Sequence, residues 1–128
     1  MNGTAAIRVL IVDDNSLVRQ TLTEMLMAYS EIEVVGEAST GDEALACVET
    51  LQPNIVTMDI RMPRMDGIAA TREINQRYPQ VKVIGLTEHA DGYHADALKK
   101  AGALAVYHKS KATEELYGAI IRTARVDV

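Results

Sequence analysis

The stretch NIVTMDIRMPRMDG, residues 54–67, joins the pattern of a buried strand to a charged ending. Residues 55–58 form a short apolar run, which is typical of a strand covered on both faces in a parallel sheet. The run leads directly into Asp59, and a proline-containing turn then reaches Asp66-Gly67, which predicts a helix start. Because burying an isolated carboxylate is costly, we expect Asp59 to lie at an edge of the sheet and not in its core.

Four more apolar runs of strand length occur, and segments of helical period separate all five. The additional runs cover residues 7–12, 32–36, 81–86 and 104–107. Alternation of this kind indicates a parallel sheet with helices on both faces. The sequence therefore predicts an α/β fold: a (βα)5, doubly wound, parallel five-stranded sheet of the flavodoxin-like, three-layer type, with strand order 2-1-3-4-5 and right-handed crossovers.

Length and composition indicate one domain, 1–128, with a core over about residues 6–123. The net charge is −5 and Lys and Arg do not cluster, which argues against direct binding to a nucleic-acid backbone. Cys47 is the single cysteine, so an internal disulfide is excluded. No apolar run of about 20 residues and no signal-peptide pattern occurs, so we expect a cytoplasmic protein without membrane contact.

Polar residues follow four of the five predicted strands. The first ends on Asp13-Asp14, the third on Asp59, the fourth on Thr87 and the fifth on His108-Lys109. In doubly wound sheets, functional groups collect beyond the carboxyl ends of the strands, near the point where the strand order reverses. The first and third strands are neighbours in the expected order, which predicts that three carboxylates meet there.

These strand-end residues suit phosphoryl chemistry. Like charges about 4 Å apart repel by about 4 kcal/mol at an effective dielectric of about 20, so the acidic cluster needs a cation or a raised pKa. Ligands that are all oxygen favour Mg²⁺. A carboxylate can also attack phosphorus to form an acyl phosphate, and Asp59 stands alone at its strand end. Lys109 can bring positive charge to a phosphoryl oxygen, and the Thr87 hydroxyl can donate to another.

Four motifs occur in order: VLIVDDN at residues 9–15, MDIRMPRMDG at 58–67, VIGLT at 83–87 and VYHK at 106–109. Together they closely resemble the receiver domain of bacterial two-component response regulators, over essentially the whole chain. The resemblance implies that Asp59 is the phospho-acceptor and that Thr87 and Lys109 hold the phosphoryl group. It also implies that Asp13 and Asp14 bind Mg²⁺ together with Asp59.

Arg61 and His89 occupy two further positions of interest by the same resemblance. The family's remaining metal ligand is a backbone carbonyl two residues past the acceptor, which here is the carbonyl of Arg61. The side chains of Arg61 and His89 lie two residues beyond Asp59 and Thr87, where they resemble the family's tuners of phosphoryl lifetime.

The resemblance implies a signalling switch that is not an enzyme, although it assists its own phosphorylation and dephosphorylation. A sensor histidine kinase or a phosphotransfer domain would donate the phosphoryl group, and the added charge would change the surface around the fourth helix, the fifth strand and the fifth helix. Residues 31–45 and 59–74 resemble the subgroup whose receivers precede a helix-turn-helix domain. DNA would then be bound only through a separate output domain, and homodimers are among the expected assemblies. The sequence leaves open whether the receiver stands alone or belongs to a longer regulator.

Two residues near Lys109 depart from the family pattern. Val106 occupies the position of the usual switch aromatic, and Tyr107 follows one residue later, where strand alternation turns it to the opposite face of the sheet. Ser110 stands where the wider family commonly has proline, so we do not assume a cis peptide after Lys109.

Simpler structural roles are open for several residues. Asp13 and Asp14 can serve only as a strand-to-helix cap, or Asn15 can be the cap itself. We expect the core to contain Met25 and Met58, and loops or the surface to contain Met27, Met62 and Met65. His94 and Asp96, with His89 and Asp91, are assigned to a solvated face and not to a zinc site.

Three other functions are alternatives. A dehalogenase-like phosphatase would need a second acid two residues after its nucleophile, where Arg61 stands. A flavin carrier would need a phosphate loop rich in Gly, Ser and Thr, and Asp13-Asp14 would repel that phosphate. A degenerate receiver that only mediates contacts would not need the complete acceptor set.

Overall fold

The computed structural model describes residues 5–60, 62, 66–88 and 93–126. Within these ranges five strands alternate with five helices. The strands are β1 (Ile7–Val12), β2 (Ile32–Ala38), β3 (Ile55–Asp59), β4 (Lys82–Thr87) and β5 (Ala105–His108). The helices are α1 (Ser16–Met27), α2 (Gly41–Leu51), α3 (Gly67–Arg77), α4 (Tyr93–Ala101) and α5 (Ala112–Ala124). A 3-10 turn, Lys109–Lys111, joins β5 to α5. None of the helices in these ranges has the length and apolar character needed to cross a membrane.

The strands form one parallel sheet in the order β2-β1-β3-β4-β5, which confirms the predicted topology. The register places Val12 opposite Met58, so the carboxyl ends of β1 and β3 lie side by side. The residues that follow these two strands therefore emerge at the same edge.

Helices cover both faces of the sheet, and each face has its own apolar core. On one face, β1, β3 and β4 contribute Val9, Ile11, Ile55, Ile84 and Leu86, which pack with α1 and α5. On the other face, the same strands contribute Leu10, Val12, Val56, Met58 and Val83, which pack with α2, α3 and α4. The strands alternate between the two cores along their length, and this produces the three layers that the near-continuous apolar runs predicted.

The alternation continues through β5. Val106 packs on the face covered by α2, α3 and α4, whereas Tyr107 packs on the face covered by α1 and α5. The Tyr107 hydroxyl accepts a hydrogen bond from Arg122 at 3.1 Å. The expectation that Tyr107 faces away from the usual switch position is confirmed.

Side chains that accept hydrogen bonds from helix N-termini explain where three helices begin. Asn15 caps α1 by accepting from the amides of Leu17 and Val18, Thr40 caps α2, and Asp66 caps α3. The cap that the sequence offered at Asn15 and the helix start expected at Asp66-Gly67 are thus confirmed.

One expectation about the core is wrong. Met62 was assigned to a loop or the surface, but it is 8% exposed and belongs to the core on the α2, α3 and α4 face. Its neighbour Ile60 is buried in the same cluster, so the chain continues over the apolar core after β3 ends. Of the other methionines, Met58 is buried, Met25 is half-buried against the α1 and α5 core and Met27 is exposed. Met65 lies outside the described residues.

Candidate functional site

An acidic cluster lies at the carboxyl edge of the sheet. Asp13 follows β1 directly, Asp14 comes next, and Asp59 is the last residue of β3. Each contributes a carboxylate oxygen, and these three atoms all lie within 4.8 Å of one another. In the described part of the chain, this is the group of acidic, His or Cys side chains close enough to hold a metal ion.

Asp59 lies at the edge of the sheet as expected, but it is almost completely buried, which the sequence did not predict. Its exposed fraction is 4%, and that of Asp13 is 1%, whereas Asp14 is exposed. Burial is the largest influence on the Asp59 carboxyl and, reinforced by repulsion from Asp13, raises its pKa from 3.8 to about 6, although Lys109 opposes the rise.

Lys109 bridges the two buried carboxylates. Its Nζ lies 2.7 Å from Asp13 Oδ2 and 3.1 Å from Asp59 Oδ1. Desolvation lowers the pKa of Lys109, but hydrogen bonds and attraction to Asp13 and Asp59 outweigh it, so the pKa is raised. The ammonium group therefore supplies the positive charge that the cluster needs in this structure.

The two buried carboxylates differ in their hydrogen bonding. Asp13 uses both oxygens: Oδ1 accepts from the Asn15 amide at 2.9 Å, and Oδ2 pairs with Lys109. Asp59 uses Oδ1 only, and its Oδ2 is buried without a hydrogen-bond partner among the described residues. A buried carboxylate oxygen of this kind is energetically unfavourable unless an additional ligand reaches it.

A cavity of about 230 Å³ opens beside Asp59. It is lined by Asp14, Asn15, Val18, Asp59, Ile60, Thr87, Glu88, His94 and Lys109. Thr87 is buried as the last residue of β4 and pairs in register with His108 of β5, immediately before Lys109. The structure thus brings together the carboxylates of Asp13, Asp14 and Asp59 with Thr87 and Lys109, whereas His108 caps the 3-10 turn.

His94 is a residue of this cavity that the sequence analysis missed. It was assigned to a solvated face, yet it is half-buried in the first turn of α4 and lines the cavity. The available signal was its place on the helix that follows Thr87, because that helix starts at the same edge of the sheet. Asp96 is exposed as expected, while His89 and Asp91 lie outside the described residues.

Gly67 is a second residue whose importance the sequence did not reveal. A Cβ atom at this position would lie 1.9 Å from the backbone oxygen of Asp59. The Gly67 amide also donates to the Ile60 carbonyl at 2.8 Å. The start of α3 therefore packs directly against the end of β3, and this close approach requires glycine.

Arg61, whose carbonyl was expected as a metal ligand, lies outside the described residues, as does His89. Ser110 lies in the 3-10 turn, where its amide donates to His108 Nδ1 at 3.1 Å. No peptide bond of the described ranges is cis, including the one after Lys109.

The arrangement has two chemical capacities. Three carboxylate oxygens at one edge match the all-oxygen coordination that divalent cations such as Mg²⁺ prefer. A carboxylate with an unpaired oxygen, next to an ammonium and a hydroxyl, matches a nucleophile that receives a phosphoryl group.

The sequence profile of the response regulator receiver domain matches residues 9–121. Among curated proteins, an uncharacterized transcriptional regulatory protein of Bacillus subtilis, YhcZ, is 41% identical over 109 residues, which cover 85% of this chain and 51% of the relative. The response regulator GacA of Pseudomonas viridiflava is 38% identical over 114 residues, covering 89% of this chain and 53% of the relative. The chain thus spans about half the length of these relatives.

Solved structures agree. The response regulator domain of Thermotoga maritima CheB superimposes with a TM-score of 0.89 at 28% identity, covering 96% of this chain and 99% of the other. A two-component response regulator of the LuxR family from Aurantimonas has a TM-score of 0.88 at 31% identity, covering 94% of this chain and 86% of the other. Because the profile and these relatives cover most of its length, the chain belongs to the response regulator receiver domain family.

Proposed function

We propose that this chain is the phospho-acceptor switch of a two-component system and that Asp59 receives the phosphoryl group. The observation that carries the proposal is the unpaired Oδ2 of Asp59, buried beside a cavity that Thr87 and Lys109 also line. A histidine kinase or a phosphotransfer domain donates the phosphoryl group, and the chain acts as a signalling protein that assists this transfer without being an enzyme.

The transfer follows from the positions of these side chains. A carboxylate oxygen of Asp59 forms a bond to phosphorus while the bond from phosphorus to the phosphohistidine nitrogen breaks, and the bonding electrons return to the imidazole. Lys109 already lies 3.1 Å from Asp59 Oδ1, so its charge is in place to attract a phosphoryl oxygen. The Thr87 hydroxyl donates to another phosphoryl oxygen across the cavity.

The donor set suits Mg²⁺. Asp13, Asp14 and Asp59 would hold the ion, and the carbonyl of Arg61 would be the fourth protein ligand. The fit rests on three oxygens within 4.8 Å and on the unpaired oxygen of Asp59. When bound, Mg²⁺ offsets the negative charge of the phosphoryl oxygens.

The wider setting is part of the same proposal. The chain works in the cytoplasm as one receiver domain over residues 1–128, with a core over about 6–123. Because its curated relatives are about twice as long and include transcriptional regulatory proteins, we assign DNA binding to a separate helix-turn-helix output domain. Homodimers and a change of surface around α4, β5 and α5 convey the phosphorylated state to that domain.

Intact mass after incubation with a small-molecule phosphodonor and MgCl₂ tests the acceptor. The wild type should gain one phosphoryl group and Asp59→Asn none. Asp66→Asn is the matched control, because Asp66 is exposed at the start of α3 and should leave phosphorylation intact. Phosphorylation of folded Asp59→Asn at the wild-type rate would reject the assignment, and no gain in any of these proteins would favour an interaction module that does not use phosphorylation.

A further inference from the structure

Arg19 of α1 reaches back to the turn that carries the acidic cluster. Its Nη1 donates to the backbone carbonyl of Asp13 at 2.7 Å, and its Nε pairs with Glu37 Oε1 at 3.0 Å. Only 18% of the Arg19 side chain is exposed, while other arginines such as Arg77 extend into solvent. The guanidinium group is thus held between the β1 to α1 turn and β2.

Glu37 is itself held in place. It belongs to β2, and its Oε2 accepts from the Thr23 hydroxyl at 3.3 Å. A carboxylate fixed by α1 on one oxygen and by Arg19 on the other leaves the guanidinium little freedom. Because the donors of arginine form a rigid planar fork, fixing Nε also sets the direction in which Nη1 points.

The carbonyl that Arg19 holds has a special place in the chain. It belongs to the peptide that links Asp13 to Asp14, and the atoms of a peptide between two Cα atoms lie in one plane. Holding this plane therefore restrains the ψ torsion of Asp13 and the φ torsion of Asp14, and with them the relative directions in which the two carboxylates leave the backbone. The Asn15 amide completes the turn by donating to Asp13 Oδ1 at 2.9 Å.

We propose that Arg19 is a positioning residue for the cation site, acting through the Asp13-Asp14 peptide and supported by Glu37. The inference rests on the proposed function, in which Asp13 and Asp14 hold Mg²⁺. Arg19 does not touch the ion or the phosphoryl group; it orients the carboxylates before a cation arrives. Groups that orient metal ligands in this way commonly alter metal affinity 10- to 100-fold when they are removed.

A positioning role and a purely electrostatic role of Arg19 predict opposite effects of Arg19→Gln on Mg²⁺ affinity. If Arg19 mattered only through its charge, Arg19→Gln would leave Glu37 without its cationic partner near the acidic cluster, and the more negative surroundings would tighten Mg²⁺ binding. If Arg19 positions the turn, the same substitution weakens Mg²⁺ binding. The double variant Arg19→Gln with Glu37→Gln keeps the wild-type net charge, and positioning predicts that it binds Mg²⁺ as weakly as the single variant.

The experiment is a titration of the unphosphorylated protein with MgCl₂. Mg²⁺ binding is measured by calorimetry and by the changes in the amide NMR shifts of Asp14 and Asn15. We expect a dissociation constant about tenfold higher for Arg19→Gln. The Asn15 amide, whose hydrogen bond depends on the turn, should also exchange faster in EDTA. Arg8→Gln is the matched control. Arg8 also donates to a backbone carbonyl, that of Gln52, at 2.8 Å, but it lies near the amino end of β1, away from the acidic cluster at the carboxyl end.

Each outcome decides the matter. No Mg²⁺ binding by the wild type would overturn the metal site and this inference with it. Binding by the wild type, with equal or tighter binding by Arg19→Gln, would overturn the inference and leave the metal site standing. Equal weakening by Arg8→Gln would show a general structural effect and also overturn it. If Arg19→Gln fails to fold, Arg19→Lys replaces it, and a wild-type dissociation constant in that variant would count against the fork geometry.

Discussion

At the scale of single residues, the site contains carboxylates whose burial makes the ionised form unfavourable. Asp59 is nearly buried and keeps one oxygen unpaired, and Lys109 partly offsets the cost by bridging Asp59 and Asp13. In the function that we propose, Asp59 must be ionised to attack phosphorus, and its burial makes that ionised state less stable. The cost of burying the Asp59 charge should therefore be measurable as a change in the free energy of unfolding.

Asp59→Asn should stabilise the metal-free protein at pH 8. Because the folded pKa of Asp59 is about 6 and its ordinary value is 3.8, the protonated form favours folding, and this contribution is complete below pH 3.8 and lost as the pH rises through 6. The difference corresponds to at most about 3 kcal/mol. Urea unfolding in EDTA should show the variant more stable at pH 8 and nearly equal to the wild type at pH 4.

Glu49→Gln is the control for this measurement, since Glu49 is an exposed carboxylate of α2. Its stability should follow that of the wild type at both pH values. If Asp59→Asn were less stable than the wild type at pH 8, ionisation of Asp59 would be favourable in the folded protein, contrary to its burial.

Lys109→Met should destabilise the metal-free protein at pH 8. Removing the ammonium leaves Asp13 and Asp59 without their shared partner, and loss of one member of a buried ion pair costs about 3–5 kcal/mol, less here because 19% of the Lys109 side chain is exposed. Thermal unfolding in EDTA measures the loss. Lys111→Met, an exposed lysine two residues along, should have little effect. Equal stability of the two variants would show that the bridge is energetically neutral.

At the scale of elements, helix starts and strand ends build the site together. Asn15 caps the start of α1 directly after the acidic pair, and Asp66 caps the start of α3. Gly67 lets α3 approach the Asp59 backbone far more closely than any residue with a side chain would. The position of Asp59 thus depends on helix α3 as well as on β3.

Gly67→Ala and Gly118→Ala should change stability in opposite directions. At Gly67 the new Cβ would lie 1.9 Å from a backbone oxygen, so the start of α3 must move, at a cost of about 2–3 kcal/mol. At Gly118, inside α5, the nearest atom is the flexible end of Arg122 at 3.0 Å, and alanine should stabilise the helix by about 0.5–1 kcal/mol. Urea unfolding of both variants tests the pair, and a neutral Gly67→Ala would show that the approach of α3 to β3 is easily relaxed.

At the scale of the whole molecule, the carboxyl and amino ends of the strands have different roles. The carboxyl edge carries the acidic cluster, Thr87 and Lys109. At the amino edge, Lys82 begins β4 and donates from Nζ to the carbonyls of Ala124 and Val126 at the end of α5. β4 therefore spans the molecule from the site to the end of α5.

Lys82→Met should loosen the end of α5 while leaving the site unchanged. The carbonyls of Ala124 and Val126 lose their common donor, so the amides of Arg125 and Val126, which bond back to Arg122 and Thr123, should exchange faster. Hydrogen exchange followed by NMR measures this, with exposed Lys99→Met as the control. The rate of phosphorylation should stay within about twofold of the wild type; a large change would reveal that this contact influences the site.

The sequence by itself determined the alternation of strands and helices, the residues that end each strand and the caps at Asn15 and Asp66. These features depend on local periodicity and on hydrogen bonds between backbone groups a few residues apart, so neighbouring residues are enough to predict them. Even the opposite orientations of Val106 and Tyr107 were predictable, because a strand alternates at every residue.

The tertiary structure alone decided how far the site is buried and what holds it. Four features could not be read from neighbouring residues: the Lys109 bridge, the burial of Asp59 and Met62, the place of His94 on the cavity wall and the Arg19 contact. Each depends on contacts between different strands, helices or turns. Burial and charge act through distances across space, and those distances exist only once β1, β3, β4 and β5 are packed side by side. The sequence therefore determined which groups reach the edge of the sheet, and packing decided which of them touch.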